Sequence, residues 1–361
     1  MCAMKTDRIA PRAPGGPVLA LLSAALFGAS TPCAKLFLGA GINPWLLAGL
    51  LYLGSGLGLA VVHLLARARG GRDVEAPLRR ADLPWLALVV LAGGVIGPVL
   101  LMYGLSHVAA SSAALLLNLE SIATLLLAWL VFREHVDRKL LLGAIAIVAG
   151  AIVLSWQGGS LRIGSGSLAI AAACLAWGVD NNLTRKLSAS DPVQIAMIKG
   201  LIAGAVNLAL ALLLTGASLP PGLELAGAGT VGLLGYGASL VLFVLALRQL
   251  GAARTGAYFS TAPFIGALLA VLLLAEPVSG RLIIAGVLMG IGVYLHLSEV
   301  HDHEHAHEAL AHEHRHSHDE QHQHEHAAAD PAGESHSHWH VHAPLVHSHP
   351  HYPDLHHRHG H

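Results

Sequence analysis

Ten stretches of mostly apolar residues follow one another along this 361-residue chain, and nothing else in it constrains the fold so tightly. They cover 17–38, 44–66, 83–105, 108–131, 139–156, 165–186, 192–215, 229–249, 254–275 and 280–298. A helix needs roughly 20 such residues to cross the hydrocarbon core of a bilayer. Only 12% of residues are charged, against about 25% in a soluble domain. The expected fold is an all-α polytopic membrane body with connections too short to hold a soluble domain. The first run follows Lys5, Arg8 and Arg12, as a leader would, but the repeat described below matches it with the sixth run, so it is read as a crossing.

Histidine and charge divide the chain at one place. Of 26 histidines, His63, His107, His135 and His296 precede residue 299 and the other 22 follow it. Basic residues exceed acidic ones before that point, and acidic residues exceed basic ones after it, so the formal net charge of −1 hides two opposite regions. Cys2, Cys33 and Cys174 match neither a disulfide framework nor a metal-finger spacing. Lys and Arg concentrate in the even-numbered connections (Arg67, Arg69, Arg72, Arg79, Arg80; Arg133, Arg138, Lys139; Arg185, Lys186; Arg248, Arg254). Cationic loops stay cytoplasmic, which predicts both termini inside.

The body repeats. At an offset of 142 residues, IATLLLAWLVFREHV (122–136) falls on FIGALLAVLLLAEPV (264–278), with Glu134 on Glu276, Ala128 on Ala270 and Lys139 on Arg281. Leu105 falls on Leu247, Ala110 on Ala252 and Gly150 on Gly292. An offset of 150 sets Phe27-Gly28 on Trp177-Gly178 and Lys35 on Arg185, and Pro44 lies near the counterpart of Pro192. The unit is five crossings long. An odd number of crossings forces the two copies to point in opposite directions, an arrangement found in secondary transporters with a midplane site; a duplicated structural membrane protein is the plainer alternative. The organisation read from this is 1–16 as a cytoplasmic segment, 17–156 and 163–298 as two five-helix repeats, and 299–361 as a tail.

With REHV at 133–136 and AEPV at 276–279, each followed by a Gly-rich closing helix, residues 17–298 resemble the drug/metabolite transporter superfamily, specifically EamA-type exporters. LSHVAAS (105–111) and LRQLGAA (247–253) resemble the start of the family's fourth helix in each repeat. Pro263 sits where the family carries a proline, and Ser121 replaces it in the first repeat, which puts a kink there in doubt. The resemblance implies export of small metabolites across a bacterial inner membrane by alternating access, and it leaves the solute open.

Charges near a bilayer centre are costly and usually face a cavity or a partner. Glu120, with Asn118 and Ser121 beside it, lies mid-way along run four. Asp180, Asn181 and Asn182 lie in run six, Lys199 in run seven, and Arg254 opens run nine. Glu120, Asp180, Lys199, Asn118, Asn181, Asn182 and Arg254 are therefore candidates to line a solute site. The alternative is an Asp180–Lys199 ion pair that serves assembly alone. Glu134 and Glu276 end helices and read as structural, and Lys35 and Arg185 are placed to snorkel to the interface. Gly286-x-x-x-Gly290 suits close helix approach, as do Gly232, Gly235 and Gly237, and runs five and ten are candidates for a homodimer face.

The tail opens HDHEHAHEALAHEHRHSHDEQHQHEH (301–326). So few apolar residues predict disorder without a ligand. Imidazoles suit zinc, nickel, cobalt and copper, which makes His301, His303, His305, His307, His312, His314, His316, His318, His322, His324 and His326 candidate ligands. No cofactor is required. The tail is expected to feed, sense or buffer metal, but the membrane runs hold no HxxxD, DxxxH or HxxxE pair. Three functions follow in order: a secondary exporter of a small polar metabolite, a nickel, cobalt or zinc exporter fed by the tail, and a non-transporting metal sensor. The chain reads as no enzyme, and its partners are the lipid bilayer and a small solute, with no nucleic acid.

Overall fold

The computed structural model describes residues 15–68, 78–132, 138–156, 164–184, 187, 190–298 and, as backbone, 301–307, 310–316, 336–342 and 345–351. Its helices are α1 (Gly16–Gly39), α2 (Pro44–Ala68), α3 (Leu83–Val89), α4 (Gly97–His107), α5 (Ala110–Leu116), α6 (Leu119–Phe132), α7 (Arg138–Ser155), α8 (Ser165–Thr184), α9 (Pro192–Thr215), α10 (Gly222–Val231), α11 (Ser239–Phe259), α12 (Ala262–Leu274) and α13 (Gly280–Leu297). A π-helical turn at Val90–Ile96 joins α3 to α4, and another at Gly232–Ala238 joins α10 to α11. Eight of the resulting stretches are long and apolar enough to cross a membrane. α8 is 20 residues long but carries Asp180, Asn181 and Asn182, and α12 is a shorter apolar helix.

Local chemistry sets the starts. Asp191 precedes Pro192, and its Oδ1 accepts from the N–H of Val193 at 2.8 Å and of Gln194 at 3.4 Å, opening α9. Ser279 does the same for α13 through the Leu282 N–H at 3.2 Å. A side-chain cap satisfies backbone donors that the first helical turn leaves unpaired.

The helices pair across the two copies. α2 packs on α9 and α7 on α13; α1 packs on α11 and α12, as α8 packs on α4 and α6. Glycine contacts show that this is a two-fold relation. A Cβ on Gly56 would meet the Leu201 nitrogen at 2.4 Å, and a Cβ on Gly204 would meet the Leu53 nitrogen at 2.4 Å. A Cβ on Gly28 would meet the Gly266 nitrogen at 3.1 Å, and one on Gly178 the Thr124 nitrogen at 2.9 Å. Small residues let membrane helices approach to backbone contact, where dispersion and weak polar forces hold them.

Four details depart from the sequence reading. First, α11 runs unbroken as Ser239–Phe259 through the connection expected at 250–253, packed along α1. Second, Gly286 and Gly290 face Leu115 and Phe264 side chains at 3.8 and 3.9 Å, whereas Gly292 makes the backbone approach, its Cβ site 2.6 Å from the Gly143 oxygen. The α7–α13 seam is thus internal to one chain, and the GxxxG pair faces into the bundle. Gly232 and Gly235 do pack tightly, against Leu51 and Ser30. Third, the missing proline at Ser121 does not remove the interruption in crossing four. The helix breaks at Leu117–Asn118, with Asn118 Nδ2 donating to the Leu115 oxygen (2.9 Å) and Ser121 Oγ to the Asn118 oxygen (2.7 Å). Fourth, where disorder is expected in the tail, the described backbone forms two antiparallel ribbons. β1 (His301–His307) pairs with β4 (Leu345–His351), and β2 (Leu310–His316) with β3 (His336–His342). Alternating sequence permits extended pairing, but an isolated two-stranded ribbon is marginal in water.

Candidate transport site

The polar groups in the membrane body gather around α8. Lys199 of α9 donates to Asp180 Oδ2 in a short buried ion pair, and Thr184 Oγ1 donates to Asp180 Oδ1 at 3.0 Å. This pair sits against the first π-helical turn. A Cβ on Gly93 would lie 1.9 Å from Asp180 Oδ2, so a side chain there would displace the carboxylate. The Gly93 oxygen, freed by the wide turn, accepts from Tyr52 Oη (2.7 Å) and Trp177 Nε1 (3.0 Å). Asn207 Nδ2 donates to the Gly94 oxygen (3.1 Å), while its Oδ1 accepts from Trp45 Nε1 (3.3 Å). Widened turns leave carbonyls for side chains to satisfy and recur at functional sites.

On the other side of α8, Asn181 Nδ2 donates to Glu120 Oε1 at 2.8 Å and to Thr124 Oγ1 at 3.3 Å. Asn181, near the end of α8, and Ser121, in the first turn of α6, are exposed, and Glu120 beside Ser121 is half-buried. Leaving a carboxylate in lipid is costly, and here the Asn181 amide donates to it. Asn182 is buried and bonds the Gly178 and Thr124 oxygens at 2.8 and 3.1 Å, a helix-joining role. Asn118 is buried at the α5–α6 break. Arg254 lies in α11, with its side chain outside the described part.

Seven sequence candidates thus divide. Glu120, Asp180, Asn181 and Lys199 converge, Asn118 and Asn182 serve packing, and Arg254 is not placed. Sequence reasoning missed Tyr52, Trp177, Asn207 and Gly93. One signal was available: the offset of 142 sets one π-helical turn on the other, and a glycine lies at the centre of each.

Lys35 differs from expectation, while Glu276, read as structural, has partners that the sequence did not name. Lys35 Nζ does not snorkel outward; it donates to the Leu105 and Val108 oxygens at 2.6 and 2.8 Å. Glu276 accepts from the N–H of Ala110 at 2.7 Å and of Ser111 at 2.9 Å, holding the first turn of α5. The tail histidines lie where backbone alone is described or outside the described residues. In the register His301, His303 and His305 stand opposite His351, His349 and His347, and His312, His314 and His316 stand opposite His340, His338 and His336.

A two-fold bundle of paired copies, with polar side chains gathered around α8, is the arrangement of a multi-pass membrane protein of the transporter class. A profile of the EamA-like transporter family matches residues 14–156 and 164–298. The chain belongs to that family, within the drug/metabolite transporter superfamily, and the family's members are transporters rather than enzymes. An "Uncharacterized transporter" of Methanothermobacter thermautotrophicus is 30% identical over 82% of this chain and 90% of its own length. A "Probable terminal-alkyne amino-acid exporter" of Streptantibioticus cattleyicolor is 30% identical over 62% of this chain and 78% of its own. A solved crystal structure shares the fold with a TM-score of 0.57 at 21% identity, covering 78% of this chain and 96% of the other.

Proposed function

We propose that this protein exports a small zwitterionic metabolite of the amino-acid class, with an apolar side group, by alternating access across a bacterial inner membrane with both termini inside. The carrying observation is a division of the bundle. Crossings four, six and seven hold Glu120, Asp180 and Lys199. The two-fold mates of these residues are Ala262, Ser30 and Leu51, on crossings nine, one and two. That neutral half carries an aromatic cluster instead. Phe27 meets Phe259 at 5.5 Å and Tyr236 at 6.0 Å between ring centroids, and Tyr52 meets Tyr236 at 5.3 Å. Charged groups on one wall and rings on the other suit a solute with a charged head and an apolar body. The printed name of the Streptantibioticus relative agrees with that class.

The tail is proposed to bind zinc, nickel, cobalt or copper apart from the transport route, since imidazole suits all four and the ribbons set histidines opposite one another. A divalent metal exporter fed by the tail is the second reading.

The test is counterflow in proteoliposomes with labelled neutral amino acids and, separately, nickel, cobalt and zinc, for the intact chain, Glu120→Gln and a chain ending at Val300. Amino-acid flux that falls about tenfold in Glu120→Gln, the factor that about 1.4 kcal/mol of lost interaction produces, and that survives truncation supports the proposal. Metal flux lost in both variants, with no zwitterion flux, replaces it with the second reading.

A further inference from the structure

Between crossings three and four the chain breaks at Val108–Ala109, exposing the carbonyl end of α4 and the N–H end of α5. Two charged side chains close on that break. Lys35, from α1 of the same copy, donates to the Leu105 and Val108 oxygens, the negative end of α4. Glu276, from the other copy, accepts both N–H groups at the positive end of α5. Each charge complements the helix end it faces.

Glu276 is also held there at a cost. Ala275, immediately before it, has φ 50° and ψ 36°, the one non-glycine residue with positive φ among the described residues. A Cβ disfavours this left-handed conformation, and such strain persists only where surrounding contacts impose it.

The break lies at one end of the helix pair that would have to part during transport. Among the described residues, crossing four meets crossing nine through α5 and α12, where Ala114 is buried and its Cβ lies 3.2 Å from the Cβ site of Gly266. Toward the other end, α6 packs on α8, with Ser121 and Asn181 exposed and Glu120 half-buried. By the charge of the connections, the clamped end is the outer one.

We propose that Glu276, seated on α5 and backed by Lys35, is the latch that holds the outer end of the transport route shut, and that its release is a required step of the cycle. This rests on the transport reading above. A salt-bridge-like anchor that never moves would also cap α5, so the test must read movement.

The experiment uses the full-length protein in nanodiscs, with Cys2, Cys33 and Cys174 replaced by alanine and one reporter added at a time, Ala114→Cys beneath the latch or Ser121→Cys at the open end. Each is reacted with a water-soluble maleimide in the background of Glu276, Glu276→Gln or Glu276→Ala, with monodispersity on size exclusion as the check on folding. Release of the latch raises the labelling rate at position 114 by at least about fivefold in Glu276→Ala, the low end of ordinary coupling between conformational states. Glu276→Gln, which keeps an acceptor oxygen, falls between. The rate at position 121 drops at the same time, because opening one end closes the other. Loosening without exchange raises 114 and leaves 121 unchanged, which overturns the latch; so does an unchanged rate at 114. If Glu276→Ala does not stay monodisperse, Glu276→Gln and Lys35→Met decide by the same two rates. A second arm joins cysteines at 111 and 276 with a short bifunctional thiosulfonate in proteoliposomes. Flux that stops and returns on reduction supports a required release; flux that continues while joined overturns it. Absence of flux from the unmodified protein for every solute defeats the transport reading, and the labelling rates then still judge the latch.

Discussion

The two π-helical turns are one piece of architecture built twice. Val90–Ile96 and Gly232–Ala238 occupy equivalent places in the two copies, and each turns a glycine toward the copy opposite. Gly93 faces Asp180; Gly235 faces Ser30, whose Cβ is 2.6 Å from the Cβ site of that glycine. Around Gly235 the surroundings are neutral: Ser30 Oγ donates to the Phe27 oxygen at 2.6 Å, and Ser23 and Ser239 bond one another at 3.1 Å. The second turn shows that the fold forms without charge at this place. Asp180 and Lys199 are therefore not demanded by the architecture, and a buried pair is by itself weak evidence of stabilisation. The difference between the copies is that one of these places carries a buried ion pair and the other does not.

The comparison breaks first if the ion pair is what holds the bundle together. Lys199→Met leaves Asp180 buried and unpaired, with an expected loss of about 3–5 kcal/mol. Asp180→Leu with Lys199→Met, which reproduces the neutral half, is expected to recover most of that stability while solute flux stays absent. Reversible unfolding in mixed micelles and counterflow read the two separately. A double variant as unstable as the single one makes the pair structural.

Moving the charge tests the same idea in reverse. Ser30→Asp places a carboxylate opposite Gly235 with Leu51 where Lys199 would stand, at an expected cost of about 2.5–3.5 kcal/mol in an apolar bundle. Adding Leu51→Lys is expected to return part of it. Membrane yield and unfolding free energy check this, and a Ser30→Asp variant as stable as the parent shows that water already reaches the neutral half.

A smaller effect separates the glycines. Gly93→Ala sets a methyl on Asp180 Oδ2, with a Cβ site 1.9 Å away, whereas Gly235→Ala meets Ser30 Cβ and Oγ at 2.6 and 3.5 Å. Overpacking costs about 1–3 kcal/mol, and Gly93→Ala is expected at the upper end because it also displaces the ion pair. Equal losses in the two variants remove the asymmetry.

Much of this architecture was legible in the sequence. Apolar run length depends only on the bilayer, and repeat offsets survive divergence because backbone contacts such as Gly56 on Leu201 require matched small residues. Glu120, Asp180 and Lys199 stood out because charge is rare in such runs. Tyr52, Trp177 and Asn207 did not, since a Tyr, Trp or Asn in an apolar helix is ordinary until a widened turn leaves carbonyls for it to satisfy. Lys35 was read as an interface anchor and Glu276 only as a structural helix end, because their partners are backbone atoms about 70 and 165 residues away, which side-chain pattern cannot reveal. The continuity of α11 depends on packing along α1, also outside any local pattern.

The smallest predicted effect concerns the hydrogen bonds that define the first turn. The Gly93 oxygen accepts from both Tyr52 and Trp177, and in the other copy the counterpart of Trp177 is Phe27, which has no donor. If the neutral turn stands without such donors, neither bond alone is essential here. Tyr52→Phe and Trp177→Phe are each expected to cost about 0.5–1.5 kcal/mol, the net worth of one hydrogen bond. Their combination should exceed the sum, because only then does a buried carbonyl lose every side-chain donor, and the unmade bond is the expensive one. A double-mutant cycle on unfolding free energy isolates that coupling. A strictly additive cycle means that the oxygen finds a third donor or water when both are gone, and the first turn then tolerates loss of its donors as the second does.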